Sequence, residues 1–139
     1  MRFMIIVPAN VQSEAGELPD GKMLAAMGKF NEEMVNAGVM ISGEGLQATS
    51  KGARMRFEKE KVTVSDGPFK DSDLMAGFWM IQCKTKQEAV EWMKQAPFGD
   101  GTVLEIRQVF ETEDFAPSDP TGEHRENEER LRAKVAGTK

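Results

Sequence analysis

The stretch Ala76-Gly77-Phe78-Trp79-Met80-Ile81-Gln82-Cys83 decides the fold, because it is the most apolar run in the chain. Successive residues of a β-strand point to opposite faces of the sheet, and here both odd and even positions carry apolar side chains. The run therefore predicts a strand that is buried on both sides. The N-terminal run Phe3–Val7 has the same two-sided character, so we expect these two strands to form the centre of one sheet.

Two helices and four further strands are predicted around this centre. The first helix begins after Asp20, a suitable N-cap, and ends near Ala37, because its apolar residues recur every three or four positions. The second helix begins at Thr85, where a capping box is present, and stops at Pro97. The other predicted strands are Val39–Gly45, Arg54–Phe57, Val62–Ser65 and Val103–Phe110.

The order of elements is strand, helix, strand, hairpin, strand, helix, strand. This order is the split βαβ plan of a ferredoxin-like α+β domain with an inserted β-hairpin. Both helices of that plan cover one face of the sheet, but the two central strands are apolar on both faces. A second copy of the same sheet is the economical cover for the other face. We therefore expect a homodimer with its sheets face to face, a dimeric α/β barrel.

The domain is expected to span residues 1–111, because the composition shifts from Thr112 and two prolines follow. Residues 112–139 form a tail in which Glu123–Val135 can be helical, supported by acid–base pairs at four-residue spacing. Only two of the larger apolar residues lie in this segment. We expect it to be an arm or a tail that is partly disordered.

Charge and composition limit the function classes. The net charge of −5 argues against nucleic acid as a partner, and the apolar runs are too short for a signal peptide or a membrane span. The single cysteine, Cys83, cannot form an internal disulfide, so we expect a reduced, cytoplasmic protein. The sequence contains no Cys/His cluster and no phosphate-binding glycine loop, so we expect no metal and no cofactor.

Several short motifs together resemble the DGPF family within the YCII-related proteins. They are the N-terminal Arg2–Val7, Gly43-Glu44-Gly45-Leu46, Asp66-Gly67-Pro68-Phe69, Gly77-Phe78-Trp79 and Val103-Leu104-Glu105-Ile106-Arg107. The resemblance covers nearly all of the domain. It implies a dimeric α/β barrel, in agreement with the two-sided strands, and it implies little about activity because the family is largely uncharacterised.

The chain departs from the family in two places. Family members often continue the DGPF motif with Ala-Glu-x-Lys-Glu, whereas this chain continues with Lys70-Asp71-Ser72-Asp73. The wider YCII-related group often has a His-Asp pair that looks catalytic, but the one histidine of this chain, His124, lies in the tail. That mechanism therefore does not carry over.

Asp66 and Glu44 are the candidate catalytic residues. A rigid Asp-Gly-Pro turn aims the Asp66 carboxylate, and Glu44 lies between two glycines that let a ligand approach the backbone. A carboxylate within reach of a substrate proton can act as a general base. Each residue also fits a structural role, Asp66 as a turn former and Glu44 at a β-bulge or strand end.

Four further residues are candidates for ligand binding. Arg107 and Glu105 share one side of the last strand, where they either grip an anionic ligand or form an ion pair in the dimer interface. Phe69 follows the rigid turn. Phe78 and Trp79 point to opposite faces, so one belongs to the core and the other to the dimer cavity, and we assign Trp79 to ligand binding.

These residues leave more than one function open, and they do not decide whether the protein is an enzyme. The first hypothesis is small-molecule binding in a cavity between the sheet, the long polar loop Pro8–Pro19 and the partner subunit, with cofactor-free acid–base chemistry. The alternative is a non-enzymatic regulatory module in which the tail recruits a partner protein. Some members of the resembled family are encoded beside alternative sigma factors, which suggests signalling for those members. An oxygenase-like activity rests on fold analogy alone.

Overall fold

A computed structural model describes residues 1–137 of the chain. The strands and α-helices in this range are β1 (Arg2–Pro8), α1 (Val11–Glu14), α2 (Gly21–Asn36), β2 (Met40–Gly45), β3 (Ala53–Glu58), β4 (Lys61–Asp66), β5 (Met75–Gln82), α3 (Lys86–Met93), β6 (Glu105–Gln108) and α4 (Glu123–Ala136). Two 3₁₀ segments, Thr49–Lys51 and Thr112–Ser118, lie before β3 and before α4.

Strands β1 and β5 lie side by side in the centre of a four-stranded antiparallel sheet of order β2-β5-β1-β6. Strand β2 borders β5, and strand β6 borders β1. An α+β architecture with these two strands in the centre is the arrangement predicted from their two-sided apolar pattern, and that part of the prediction is confirmed. In the register of the central pair, Ile5 lies opposite Trp79 and Ile6 lies opposite Phe78.

One face of the sheet packs against α2 and α3 and forms the hydrophobic core. The buried side chains of the core come from both central strands, from both helices and from two single positions, and they are Phe3, Ile5, Phe30, Met34, Val39, Trp79, Ile81, Cys83, Ala89 and Met93. Helix α2 begins where expected, because the Asp20 carboxylate accepts a hydrogen bond from the Met23 N–H at 2.8 Å. It ends before Gly38, whose positive φ of 72° suits glycine.

The opposite face of the sheet, here called the open face, carries a second apolar stripe. Its members on the central strands are Met4, Ile6, Phe78 and Met80, which pair across β1 and β5. Each is partly exposed, and none belongs to the core cluster. The open face is the surface for which the sequence predicts a second copy of the chain.

Strands β3 and β4 pair only with each other and form a separate two-stranded hairpin. The turn is Lys59-Glu60, with Lys59 at φ 51°. Every residue of both strands is exposed. The sequence predicts one solvated face for this hairpin, and the structure exposes both faces because the hairpin is not part of the four-stranded sheet.

The predicted polar loop Pro8–Pro19 contains the one-turn helix α1, which the sequence pattern does not predict. Asn10 and Ser13 hold its start, since each side chain accepts a hydrogen bond from the other residue's N–H, at 2.8 and 2.9 Å. A helix of four residues is too short to show an apolar period, so pattern analysis misses it.

The C-terminal segment contains the predicted helix, as α4. The 3₁₀ segment before it is tied to the domain through Arg2, whose Nε donates to Glu111 Oε1 at 2.8 Å. The side chains of α4 are mostly exposed. The predicted tail, residues 112–139, extends two residues beyond the described range, and its separation from the domain at residue 111 stays a prediction.

The two isoleucines Ile81 and Ile41 make a matched test of the core. Ile81 is fully buried in β5, whereas Ile41 is 46% exposed in β2. We expect Ile81→Ala to lower the free energy of unfolding by about 2–5 kcal/mol, because the truncation leaves a cavity. Ile41→Ala should cost about 1 kcal/mol or less. Urea unfolding followed by circular dichroism measures both, and equal costs would contradict the assigned faces.

Candidate functional site

A broad cleft of about 1650 Å³ is present in the described part of the chain. It lies where the end of β1, the loop with α1, the start of α2 and the segment before β6 come together. Its apolar lining includes Val7, Met23, Met27, Leu46, Phe98 and Val103. The loop Pro8–Pro19 contributes part of its polar rim, as expected of a long connection that lines a site.

The cleft also carries charged side chains at its edge, which are Glu14, Glu17, Asp20, Lys22, Lys51 and Asp100. Two of the carboxylates already have structural partners, since Asp20 caps α2 and Glu14 binds Thr49. Among residues 1–137, no three histidine, cysteine or carboxylate side chains are grouped closely enough to hold a metal ion. The cleft therefore combines apolar side chains with polar and charged ones.

A chain of hydrogen bonds links the cleft to the Asp66-Gly67-Pro68-Phe69 turn. The Glu14 carboxylate accepts from the Thr49 hydroxyl at 2.5 Å and from the Thr49 N–H at 3.0 Å. The Thr49 hydroxyl oxygen in turn accepts from the Phe69 N–H at 2.9 Å. The turn thus supports the 3₁₀ segment beside the cleft rather than opening into the cleft.

Gly67 is required by this close packing. Its N–H donates to the Gly52 carbonyl oxygen at 3.0 Å, and a Cβ at this position would lie 1.8 Å from the Thr49 carbonyl oxygen. No side chain fits at that distance. The Gly67–Pro68 peptide is cis. The glycine of the motif therefore has a steric role, to let the end of the hairpin contact the neighbouring backbone.

Phe69 is covered by Arg54 from the hairpin. The Arg54 guanidinium carbon lies 4.0 Å from the centre of the Phe69 ring, in a cation–π contact. The same guanidinium forms an ion pair with Asp71. Phe69 thus packs within a local cluster at the base of the hairpin, and it does not line the cleft.

The candidate catalytic residues Asp66 and Glu44 are exposed and lie outside the cleft. Within residues 1–137 neither carboxylate takes part in a hydrogen bond or an ion pair. Glu44 lies opposite Phe78 at the β2 edge of the open face. Asp66 ends β4 opposite Ala53, on the same face of the hairpin as Val64. The two lie on different strands, in the four-stranded sheet and in the hairpin, and their acid–base role stays a prediction.

Glu105 and Arg107 do lie together. Arg107 Nη1 donates to Glu105 Oε2 at 3.2 Å, and both side chains are exposed. They border the open face, because Glu105 pairs with Ile6 and Arg107 pairs with Met4. This placement agrees with the predicted side of the last strand, and the pair lies outside the cleft.

Trp79 does not lie where a ligand-binding role requires, and Phe78 takes its place on the open face. The Trp79 ring is 5% exposed and packs edge-on against Phe30 and Phe98. Its Nε1–H donates to Asn31 Oδ1 at 3.0 Å. The reason is the register of β5, which places Trp79 on the face that the helices cover. Trp79 is therefore a core residue.

The sequence pattern does not identify the apolar side chains that line the cleft. Met23 and Met27 have the spacing of a helix face and read as core, and Phe98 reads as part of a loop. The one signal for this region was the length of the polar loop Pro8–Pro19. The loop and α2 line the cleft together. Their relative placement depends on the folded chain, so a local sequence pattern does not predict which residues meet there.

The groups with shifted pKa values lie away from the cleft and have structural roles. Burial raises the pKa of the Cys83 thiol, and nearby Glu88 raises it further. Burial alone would also raise the pKa of the Asp119 carboxyl. Hydrogen bonds from the backbone N–H groups of Arg125 and His124 and from the Arg125 guanidinium outweigh that effect, so the pKa of Asp119 is lowered. Asp119 thereby holds the start of α4.

The four-stranded sheet of order β2-β5-β1-β6, the hairpin and the clamped Asp-Gly-Pro-Phe turn define a ferredoxin-like α+β protein with a cleft beside the sheet. Residues 1–113 match the YCII-related domain, and the chain belongs to that family. No curated protein matches it. No helix in residues 1–137 has the length and apolar character that crossing a membrane requires.

One similar solved structure is 5-chloro-2-hydroxyhydroquinone dehydrochlorinase from Burkholderia phenoliruptrix, in complex with 2,5-dihydroxybenzoquinone. The sequence identity is 15%, and the match covers 81% of this chain and 98% of that chain with a TM-score of 0.39.

Gly67 and Gly45 make a matched test of the turn. A Cβ on Gly67 would collide with Thr49, whereas a Cβ on Gly45 meets nothing within 4 Å. We expect Gly67→Ala to lower the free energy of unfolding by about 1–3 kcal/mol or more, because the backbone must move apart. Gly45→Ala should change it little. Thermal and urea unfolding measure the difference, and an unaffected Gly67→Ala protein would show that the turn is not clamped.

Asp119 gives a prediction about pH. Because its folded-state pKa is lowered, the stabilisation by its carboxylate is fully present above the ordinary pKa of about 3.9 and is lost as the pH falls through the folded-state value. We expect Asp119→Asn to lower the melting temperature at pH 7, and the difference from the unmodified protein to vanish in increasingly acidic solution. Asp73→Asn, at an exposed position, is the control. A difference that persists unchanged at low pH would contradict the assignment.

Proposed function

We propose that this protein is a homodimer that binds a small molecule in the cleft beside the sheet. The cleft itself is the observation that carries the proposal. Ligand sites are typically concave, mostly apolar and furnished with a few polar groups, and their volumes are of the order of 300–1,000 Å³. The cleft is wide enough for such a ligand and has this lining.

The chemistry of the lining favours a ligand with an apolar body and polar groups at its edge. Met23 and Met27 offer flexible, polarizable side chains that adapt to the shape of a ligand. Polar groups of the loop Pro8–Pro19 lie at the rim, where they contact the edge of a bound molecule. The rim carries both acidic and basic side chains, so it does not indicate the charge of the ligand.

The dimer is proposed through the open face of the sheet. Four apolar side chains on the central strands lie outside the core, and a symmetric contact between two such faces removes both from water at once. Glu105 and Arg107 border this face, so their ion pair lies at the edge of the proposed interface.

Two finer hypotheses remain alongside the proposal. Acid–base catalysis by Asp66 or Glu44 requires a substrate outside the cleft, since neither carboxylate lines it. Recruitment of a partner protein by residues 112–139 is supported by the exposure of α4. Both stay predictions, and the cleft supports small-molecule binding more directly than it supports either one.

Two neighbouring alanines of α2 test the cleft. Ala26 lines it, whereas Ala25, the next residue and also exposed, does not. A panel of small metabolites is screened by thermal shift with the unmodified protein. A bound metabolite at 100 times its Kd stabilises the protein by about 2.7 kcal/mol, which raises the melting temperature by roughly 5–10 °C.

We expect Ala26→Trp to abolish that stabilisation, because the indole ring occupies the cleft, and Ala25→Trp to keep it. A metabolite that stabilises the Ala26→Trp protein as strongly as the unmodified one would place its site elsewhere. Asp66→Asn and Glu44→Gln, measured in the same assay, report whether either carboxylate contributes to binding.

A further inference from the structure

The hairpin presents one continuous apolar surface, here called the arm face. It consists of Met55, Phe57, Val62 and Val64. Met55 pairs with Val64 and Phe57 pairs with Val62, so the four side chains lie on the same side of the hairpin. Their exposed fractions are 59%, 75%, 50% and 59%. The other side of the hairpin is polar, with Arg54, Arg56, Thr63 and Ser65.

This arrangement needs support from outside the hairpin. An isolated two-stranded hairpin is marginally stable at best in water, and it normally gains stability from a third strand or from packing on an apolar surface. Within the described residues, β3 and β4 pair only with each other. The contacts that hold the base of the hairpin are the hydrogen bond from the Gly67 N–H to the Gly52 carbonyl oxygen and the packing of Arg54 on Phe69 and Asp71.

We propose that the arm face packs against a second copy of this chain, so that each subunit of the homodimer is clasped by the hairpin of the other. The inference rests on the dimer proposed above and extends it. The dimer proposed earlier involves only the open face of the sheet. The further inference gives the hairpin a binding partner as well.

The area of the open face favours the second copy as the occupant. A stable interface buries about 800 Å² on each partner. The apolar centre of the open face consists of four side chains, Met4, Ile6, Phe78 and Met80, and each is already partly covered within its own subunit. Each of these four therefore leaves only a small part of its own surface for an interface. The four more exposed side chains of the arm face enlarge the apolar area that a second copy can bury.

The amphipathic character of the hairpin fits the same occupant. A two-fold axis that brings one arm face to the partner brings the partner's arm face back, so each dimer buries the surface twice. The charged side of the hairpin then remains in water, where Arg56 pairs with Glu58 at 3.5 Å. A hairpin apolar on both sides would have to be buried on both, and this one is not.

Phe57 and Arg56 are neighbours on opposite sides of β3 and make a matched pair. Sedimentation velocity measures the dimer Kd of the unmodified protein, of Phe57→Ser and of Arg56→Ser. We expect Phe57→Ser to weaken the dimer about 100-fold or more, because each dimer loses the burial of this large apolar side chain twice. Arg56→Ser should leave the Kd within about threefold, as is usual for exposed side chains.

The Phe57→Ser substitution could weaken the dimer simply by unfolding the hairpin. Hydrogen exchange of the unmodified protein tests the contact without any substitution. The amides of β3 and β4 are followed above and below the dimer Kd. We expect them to become protected on dimerisation, whereas the amides of the buried strand β1 are protected at both concentrations. Protection that does not change with dimerisation would overturn the clasp.

The outcomes separate this inference from the dimer itself. A dimer whose Kd is the same for Phe57→Ser and the unmodified protein overturns the clasp and leaves the proposed sheet interface standing. A protein that stays monomeric at every concentration overturns the dimer and the clasp together. Association of the arm face with a different protein or with lipid vesicles, in the absence of dimers, also overturns the clasp.

Discussion

The two-sided apolar pattern of β1 and β5 is the constraint on which the rest of the structure depends. A pleated strand sends alternate side chains to opposite faces, so a sheet with two such strands in its centre needs a cover on each face. Helices α2 and α3 supply one cover and, with Trp79 and Ile81, form the core. The apolar side chains of the open face, which include Met4 and Met80, do not belong to this core. The dimer is proposed because it would cover that second face.

The motif Asp66-Gly67-Pro68-Phe69 has a structural explanation. Gly67 is needed because a neighbouring carbonyl oxygen occupies the space of a Cβ, and Phe69 is held by Thr49 and by Arg54. Residues of these types in this order make a compact junction where the hairpin, the sheet and the edge of the cleft meet. A motif can therefore identify a family strongly while its glycine and its aromatic ring serve packing.

Much of the fold could be predicted from the sequence, and the site could not. Apolar period and capping residues located α2, α3 and the strands, because those signals are local. Phe78 and Trp79 are adjacent in β5, so the strand pattern predicts that they face opposite sides of the sheet. Which of the two sides the helices cover is not a local property of the strand. The structure places Trp79 on the helix-covered side, opposite to the side expected for ligand binding. The cleft lies between segments far apart in sequence, so only the folded chain brings Val7, Met27 and Phe98 together.

The hairpin carries both the arm face of the proposed dimer and the candidate general base Asp66. A general base needs a proton within hydrogen-bond reach and an environment that shifts its proton affinity. In one subunit Asp66 is exposed, and within residues 1–137 its carboxylate forms no hydrogen bond or ion pair. It nevertheless shares a side of the hairpin with the arm face. A dimer that buries Val64 against the partner also brings Asp66 to that interface, so a catalytic role for Asp66 depends on the assembly and not on the single chain.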